Sequence, residues 1–460
     1  MIEQKFITSF KDKDYGIVIK DIIAFSNGHT AVLYEKTGHI LRVDACILED
    51  IQNQDIPLEI INKLKSRNFI YNSDNFGNIS NCSQNYLPEF FMIDLTNKCN
   101  MHCKYCLRDI CNSKNSISEN KIKDICNYIM QYCKENHIKD ITIQPWGGEP
   151  LMELKSIILM RKLLSMDETK VHFSIETNAV LLDLDVIEIL YKYKIGLGIS
   201  IDGYRELHDA QRLFQNGKAS HSIVEKNLLL AKQKYGFRLG TITTITKINA
   251  PYIENILEYY AVNLELTNVK FNYVHESMFC DCSDLCLSKE EIAKAEIKLL
   301  NKLVELNERG YNISEQNIKV KLKNLLLKQY SDICHSYGCL GGRKMIVFDM
   351  QGNMFPCELT DIPHEKIGSI YDGMGLSDIV KDAIKNRDFF VAKKVPECQN
   401  CFWYIFCKGG CTVRAISIGK RPPEIDSIEC AVNSVLYPEL LKLMVEKPNI
   451  VNKLINKKVL

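Results

Sequence analysis

The chain has 460 residues, with 58 Lys and Arg against 57 Asp and Glu, and 46% of its residues are hydrophobic. So even a balance creates no field to steer it toward nucleic acid or an anionic lipid surface, and no apolar run approaches the roughly 20 residues that span a bilayer. Its 19 cysteines sit behind an N-terminal run, Met1-Ile2-Glu3-Gln4-Lys5-Phe6-Ile7, that lacks the apolar core of a signal peptide, so they read as metal ligands in a cytoplasmic protein rather than as disulfides.

Domains of about 100 to 200 residues make two to four units the expectation. Residues 1–85 read as a small separate module. Short β-like runs at 15–20, 30–35 and 40–44, split by Asn27-Gly28 and Thr37-Gly38, precede helical stretches near 46–52 and 57–65. Three strands followed by helices fit a winged-helix-like α+β unit, and the turn-rich run 71–81 predicts a linker. From 86 to 310 strands and helices alternate: strands at 91–95, 140–144, 171–175, 196–201, 238–245 and 268–273, helices at 118–135, 154–164, 185–193, 222–235, 251–262 and 289–308. Six such repeats imply an α/β fold, a parallel sheet curled into a partial (β/α)6 barrel two units short of the closed form. Residues 311–435 form a bridging region and a cysteine-rich domain, 436–445 predict a helix, and the lysine-bearing end to 460 predicts a solvated tail.

Active sites on barrels of this kind lie at the carboxyl ends of the strands. The chemistry-bearing residues fall there: Cys99 to Cys106 after the first strand, Gly147-Gly148-Glu149-Pro150 after the second, Thr177-Asn178 after the third and Asp202-Gly203 after the fourth. The run Thr96-Asn97-Lys98-Cys99-Asn100-Met101-His102-Cys103-Lys104-Tyr105-Cys106 spaces three thiolates as C-x3-C-x2-C. That spacing suits three corners of an iron–sulfur cube and leaves one iron open, and a site short of one ligand can bind a small molecule. Gly147 and Gly148 either let a ligand's ammonium group approach their carbonyls or make an ordinary tight turn.

This spacing, with an aromatic before the last cysteine, resembles the radical S-adenosylmethionine (radical SAM) superfamily, in which SAM fills the open position. The resemblance spans about residues 90 to 435. It implies that the turn Gly147-Gly148-Glu149 holds the methionine amino group, that Ser200 and Asp202 face the ribose hydroxyls, and that Asn178 shares the pocket. Arg212 is the implied partner of the SAM carboxylate, which a guanidinium binds bidentately, and Tyr105 lies near the adenine. A surface arginine and a core tyrosine are the plain alternatives. The implied chemistry is reductive SAM cleavage by a 4Fe-4S cluster, with a flavodoxin- or ferredoxin-type reductant, to a 5'-deoxyadenosyl radical that abstracts hydrogen; the protein supplies placement and shielding.

A second set, Cys334, Cys339, Cys357, Cys398, Cys401, Cys407, Cys411 and Cys430, resembles the SPASM extension, and eight thiolates suit two further cubes. The resemblance implies Cys334, Cys339, Cys357 and Cys411 for one and Cys398, Cys401, Cys407 and Cys430 for the other, three clusters in all; zinc at Cys398-x2-Cys401 is the alternative. Glu358 stands where related anaerobic sulfatase maturases carry an aspartate thought to act as a base, so it is the implied proton acceptor, with a solvated glutamate as the alternative. Cys126 and Cys133 read as small buried side chains. Cys280, Cys282 and Cys286 occupy a polar loop after the sixth strand, either in contact with substrate or metal or as a reactive surface loop.

The N-terminal module is similar, in element order, to the peptide-recognition element that adds a leader peptide as an extra strand, which sulfatase maturases lack; an unrelated α+β domain is the alternative. Together these likenesses imply a monomeric oxidoreductase installing a thioether or carbon–carbon crosslink in a ribosomally synthesised precursor peptide, with no nucleic-acid or membrane partner. The alternatives are an anaerobic sulfatase maturase, making formylglycine from Cys or Ser, and a non-catalytic iron–sulfur or zinc redox sensor, which needs no SAM pocket.

Overall fold

A computed structural model describes residues 2–12, 17–36, 38–53, 58–66, 71–72, 87–108, 115–165, 168–276, 280–328, 332–335, 338–358, 365–386, 396–398, 401–416 and 425–459. The N-terminal module is a meander of β1 (Glu3–Asp12), β2 (Ile17–Ser26), β3 (Thr30–Glu35) and β4 (Ile40–Asp44), followed by α1 (Ala45–Asn53), α2 (Leu58–Ser66) and β5 (Tyr71–Asn72), which pairs with β2. The expected three strands are thus a four-stranded path. β1 escaped because its run is largely polar, with Phe6 61% exposed; only pairing with β2, from Glu3 opposite Ser26 to Asp12 opposite Ile17, makes it a strand. At the β2–β3 turn Asn27 Oδ1 accepts from the amides of His29 and Thr30. Most of the expected linker, from residue 73, lies outside the described residues.

Both faces of this sheet are covered. Ile22, Ala24, Leu33 and Leu41 pack with Ile47, Ile51, Ile61 and Leu64 of the two helices, while Ile23, Phe25, Val32 and Tyr34 on the other face join the main core.

That main core belongs to the barrel. Its elements are β6 (Phe90–Asp94), β7 (Met101–Cys103), α3 (Glu119–Glu135), β8 (Asp140–Trp146), α4 (Leu154–Leu163), β9 (Lys170–Thr177), α5 (Leu184–Lys192) and β10 (Ile195–Ser200). There follow α6 (Arg205–Asp209), β11 (Arg212–Phe214), α7 (His221–Tyr235), β12 (Gly240–Ile245), α8 (Ile253–Glu258), β13 (Asn268–Tyr273) and α9 (Lys289–Glu308). The six expected strands run parallel in the expected order β6-β8-β9-β10-β12-β13. Helix signals hold locally: Ser118 caps α3 through Lys121 N, and Ile122, Ile125, Ile129 and Tyr132 form its buried stripe together with Cys126 and Cys133, small buried side chains as expected.

The sheet grows beyond six strands at both ends. β14 (Ser314–Glu315) continues the parallel pairing and leads into α10 (Gln316–Leu327), while β15 (Met345–Phe348) pairs parallel with β6 and carries the antiparallel β16 (Asn353–Phe355) and β17 (Gly368–Ser369). A two-residue strand and a wholly apolar four-residue run carry no period to read. The remaining helices are α11 (Leu376–Asn386), α12 (Tyr404–Cys407), α13 (Thr412–Ile416), α14 (Ser427–Glu446) and α15 (Pro448–Ile455). The expected tail is largely helix: Val451, Leu454 and Ile455 of α15 are buried, and Lys453 Nζ donates to the carbonyls of Asn307 and Tyr311 at 3.0 and 3.1 Å. Among the described residues no helix is long and apolar enough to cross a membrane.

Candidate active site

The three-cysteine loop leaves β6 and is pinned along its length. β7 pairs antiparallel with β11, setting Cys103 opposite Arg212, Lys104 N donates to Gln211 O at 2.9 Å, and Arg108 pairs with Asp94. Burial pushes the Cys99 thiol up to about 12 and the Cys103 thiol up to about 11, the neighbouring Arg212 working against the latter. Met101 N and Asn178 Nδ2 donate toward the Cys99 sulfur at 3.4 and 3.8 Å.

The glycine turn after β8 is riveted to this loop. Gly148 N donates to Thr96 O at 2.7 Å and Glu149 N to Lys98 O at 2.9 Å. A Cβ on Gly147, whose φ is +145°, would collide with the Thr96 carbonyl, and one on Gly148 with that of Lys98. Close approach of two backbones therefore requires both glycines. Glu149, 1% exposed, accepts from Leu151 N, Thr177 Oγ1 and Asn178 N at 3.0, 2.7 and 2.8 Å. Its carboxylate thus ties the second strand's turn to the third's, and Asn178 Nδ2 reaches on to Asn100 Oδ1 at 2.7 Å.

Tyr105, Asp202 and Arg212 meet in one buried group. Tyr105 donates to Asp202 Oδ2, Arg212 Nη1 donates to the Tyr105 hydroxyl at 2.7 Å, and Asp202 Oδ1 accepts from Thr244 N at 3.0 Å. Asp202 is fully buried, so both its oxygens are engaged inside the protein. Asp202 N donates to His208 Nδ1 at 3.2 Å, His208 Nε2 meets Ser220 Oγ at 3.0 Å, and Ser220 Oγ donates to Arg212 O at 2.7 Å. His208 and Ser220 were not foreseen, although the run His208-Asp209-Ala210-Gln211-Arg212 placed a titratable residue beside an expected ligand. Ser200 ends β10, half-buried, opposite Ile242.

Along β9, β10, β12 and β13 one set of alternating residues is buried against the helices, and the other lines the barrel interior. Gly196, Gly198 and Gly240 leave that wall bare, while Glu176 and Lys270 charge it. Burial raises the Glu176 carboxyl, opposed by Lys270 and by a hydrogen bond from Gln144, with Glu358 adding negative field. Burial works against the Lys270 charge, but Asp332 and Glu176 outweigh it and its pKa rises. The sequence signal for this pair was slight: Lys270 lies inside the expected strand 268–273, and Glu176 falls just past the expected strand 171–175.

The downstream cysteines gather beyond β6. The Cys357 thiol donates to Glu358 Oε2 at 3.0 Å and shares its field with Cys339 and Cys411, as Cys334 does with Cys339 and Glu358. Cys430 feels Cys401, and Tyr404 feels both Cys398 and Cys407. Between the groups runs a buried charge network. Lys321 Nζ donates to Glu429 Oε1 and Asn433 Oδ1 at 2.6 and 2.7 Å, and Asp426 Oδ2 accepts from Cys411 N at 2.8 Å and from Arg414. Among the described residues no three His, Cys, Asp or Glu side chains converge on a point that could hold one metal ion.

Residues 93–260 match the family model of the Radical SAM superfamily. They form a radical SAM domain. A cysteine-type anaerobic sulfatase-maturating enzyme from Clostridium novyi (strain NT) is 24% identical over 341 residues, 69% of this chain and 85% of that protein. Native anSMEcpe with bound AdoMet matches with a TM-score of 0.67 and 21% identity over 79% of this chain and 100% of that one. Streptococcus suis SuiB bound to precursor peptide SuiA matches with a TM-score of 0.55 and 16% identity over 93% of this chain and 100% of that one. At such identities the two structures establish the fold.

A radical SAM domain implies SAM and a 4Fe-4S cluster, and the residues present fit both. Three thiols share one pinned loop, with N–H donors turned toward the Cys99 sulfur, the kind of contact that tunes an iron–sulfur cluster. Asn100 Nδ2 and Arg212 Nε are buried donors without a hydrogen-bond partner among the described residues, an arrangement that calls for an acceptor.

Proposed function

We propose that this radical SAM enzyme modifies a ribosomally synthesised precursor peptide by thioether or carbon–carbon crosslinking. The observation that carries the reading is the docked N-terminal module. It is seated on the cysteine-rich region by Tyr34, which donates to Phe402 O at 2.7 Å and stacks on Trp403 with centroids 4.9 Å apart. Likeness to SuiB, solved with its precursor peptide, extends over 93% of the chain, against 79% for anSMEcpe.

In this reading Cys99, Cys103 and Cys106 hold a 4Fe-4S cluster, which with SAM supplies a 5'-deoxyadenosyl radical for hydrogen abstraction. Gly147, Gly148 and the positioning carboxylate of Glu149 shape the SAM pocket with Asn178 and Ser200. Arg212, oriented by Tyr105 and Asp202, presents its free edge to the SAM carboxylate. The interior bearing Gln144, Glu176 and Lys270 takes the core peptide, and the three bare glycines leave it room. Glu358 accepts the proton released as the bond forms, and the two downstream cysteine sets hold auxiliary clusters that take the surplus electron. The leader adds to an edge of the N-terminal sheet, and a flavodoxin- or ferredoxin-type protein supplies reducing electrons.

Co-expression with a short peptide encoded beside this chain, followed by mass spectrometry, tests the reading. Loss of two hydrogens per site, with sulfur retained and no carbonyl formed, is expected. The similarity to the Clostridium novyi enzyme favours formylglycine formation as the second reading, and a hydroxylamine-reactive aldehyde in the product would select it.

A further inference from the structure

Three thiols outside these cysteine sets share the segment Cys280-Asp281-Cys282-Ser283-Asp284-Leu285-Cys286 after β13, and all three are free. The segment is a built loop. A short 3-10 turn spans Ser283–Leu285, Cys286 N donates to Ser283 O at 3.1 Å, and Lys247 N, just past β12, donates to Leu285 O at 2.9 Å.

The central thiol, Cys282, is 3% exposed and packs against Tyr105 and Val274. It donates to His275 O at 3.4 Å, and Cys280 and Cys286 both pack against the small cluster it belongs to. Those two are partly exposed, and the Cys280 thiol donates to Lys104 O, inside the three-cysteine loop, at 3.6 Å. Thiols packed into one cluster on a single short loop are placed to pair with one another. Two outer thiols can meet a solute, and the buried one between them can reach either.

We propose that Cys280, Cys282 and Cys286 form a thiol–disulfide exchange site for low-molecular-weight disulfides, with Cys282 as the resolving thiol. An outer thiol gives its proton to solvent and attacks one sulfur of the incoming disulfide. That S–S bond breaks, one half departs and is protonated to a thiol, and the other half remains as a mixed disulfide on the protein. Cys282 then loses its proton and attacks the protein-side sulfur, expelling the second half as a thiol and closing an internal disulfide. Two protein thiols are oxidised, one external disulfide is reduced to two thiols, and the electrons balance. When Cys280 is one partner, closure draws its thiol from the Lys104 carbonyl and removes a brace from the back of the three-cysteine loop.

Trypsin isolates the site, because Lys270 and Lys289 flank a single peptide, 271–289, that carries all three thiols and no other Lys or Arg. The cluster-reconstituted chain is incubated anoxically with oxidised glutathione, alkylated, digested and mapped by mass. The wild-type peptide is expected to lose two hydrogens, keep one alkylatable thiol and carry no glutathione. C282S is expected to accumulate the glutathione adduct several-fold above wild type, whereas C280S and C286S each still close a disulfide. Three fully alkylatable wild-type thiols would overturn the proposal, as would closure in C282S as complete as in wild type, or failure of closure in both C280S and C286S. None of these readouts depends on SAM cleavage.

Discussion

Lys321 offers the sharpest energetic test of how the cysteine-rich region is held to the barrel. It lies on α10, 1% exposed, with its ammonium on Glu429 and Asn433 of α14 and 5.6 Å from the Tyr437 ring centroid. Lys321→Met keeps the apolar stem and deletes the charge, leaving Glu429 with His335 at 3.4 Å and Arg414 at 3.8 Å. Breaking a buried pair from one side costs about 3–5 kcal/mol. The Arg414 guanidinium that remains beside Glu429 puts the loss at the lower end, about 3 kcal/mol. For a cooperative unit of about 150–250 residues each kcal/mol moves Tm by about 2–4 °C, so a drop of about 6–12 °C is expected. The assay is anoxic thermal unfolding of wild type, K321M, E429Q and the double variant as a cycle. K321M within about 2 °C of wild type, or strictly additive losses in the double variant, would refute a coupled buried pair.

Gly147→Ala forces a side chain against the Thr96 carbonyl at a φ that only glycine adopts freely, at a cost of about 1–3 kcal/mol; weakened SAM binding in equilibrium dialysis is expected, and wild-type affinity would contradict it. Replacing Cys99, Cys103 and Cys106 by Ala should abolish 5'-deoxyadenosine formation and lower iron from about 12 to about 8 per chain, the downstream cubes being retained. Burial and the nearby Glu315 raise Glu296 from 4.5 to about 7. A carboxyl raised on folding stabilises fully below its unfolded pKa and loses that contribution as pH climbs through the folded value. Between pH 5 and 8 wild type should therefore lose up to about 3 kcal/mol more stability than Glu296→Gln, and parallel pH profiles in urea unfolding would exclude this. Glu358→Gln should cut peptide modification more than SAM cleavage, measured as product against 5'-deoxyadenosine; equal losses would remove its role as proton acceptor.

What could be read along the chain was whatever is written in local spacing. The six barrel strands and the helices between them carry apolar runs and 3.6-residue stripes that need no distant partner to be recognised. The three-cysteine loop is also local, as is its place after the first strand, and the family match over 93–260 agrees with it. Even the reason for Gly147 and Gly148 was half legible: their lack of side chains mattered, although the close neighbour proved to be the backbone of Thr96 and Lys98.

The rest waited for residues far apart in sequence to meet. β1 is a strand because β2 pairs with it, and β15 joins the sheet because β6 offers an edge 255 residues earlier in the chain, from Met345 opposite Phe90 onward. Tyr105 and Asp202 are 97 positions apart, and Lys321 and Glu429 are 108 apart; no spacing rule links such pairs. Their partnership is set by desolvation, which makes a buried charge or hydroxyl costly until it finds its complement. Sequence thus determined the repeating units and the cysteine chemistry they display. Tertiary structure alone decided which polar groups are consumed inside the fold, Glu149 and Asp202 among them, and which, like the Nε of Arg212, keep a donor without an acceptor among the described residues.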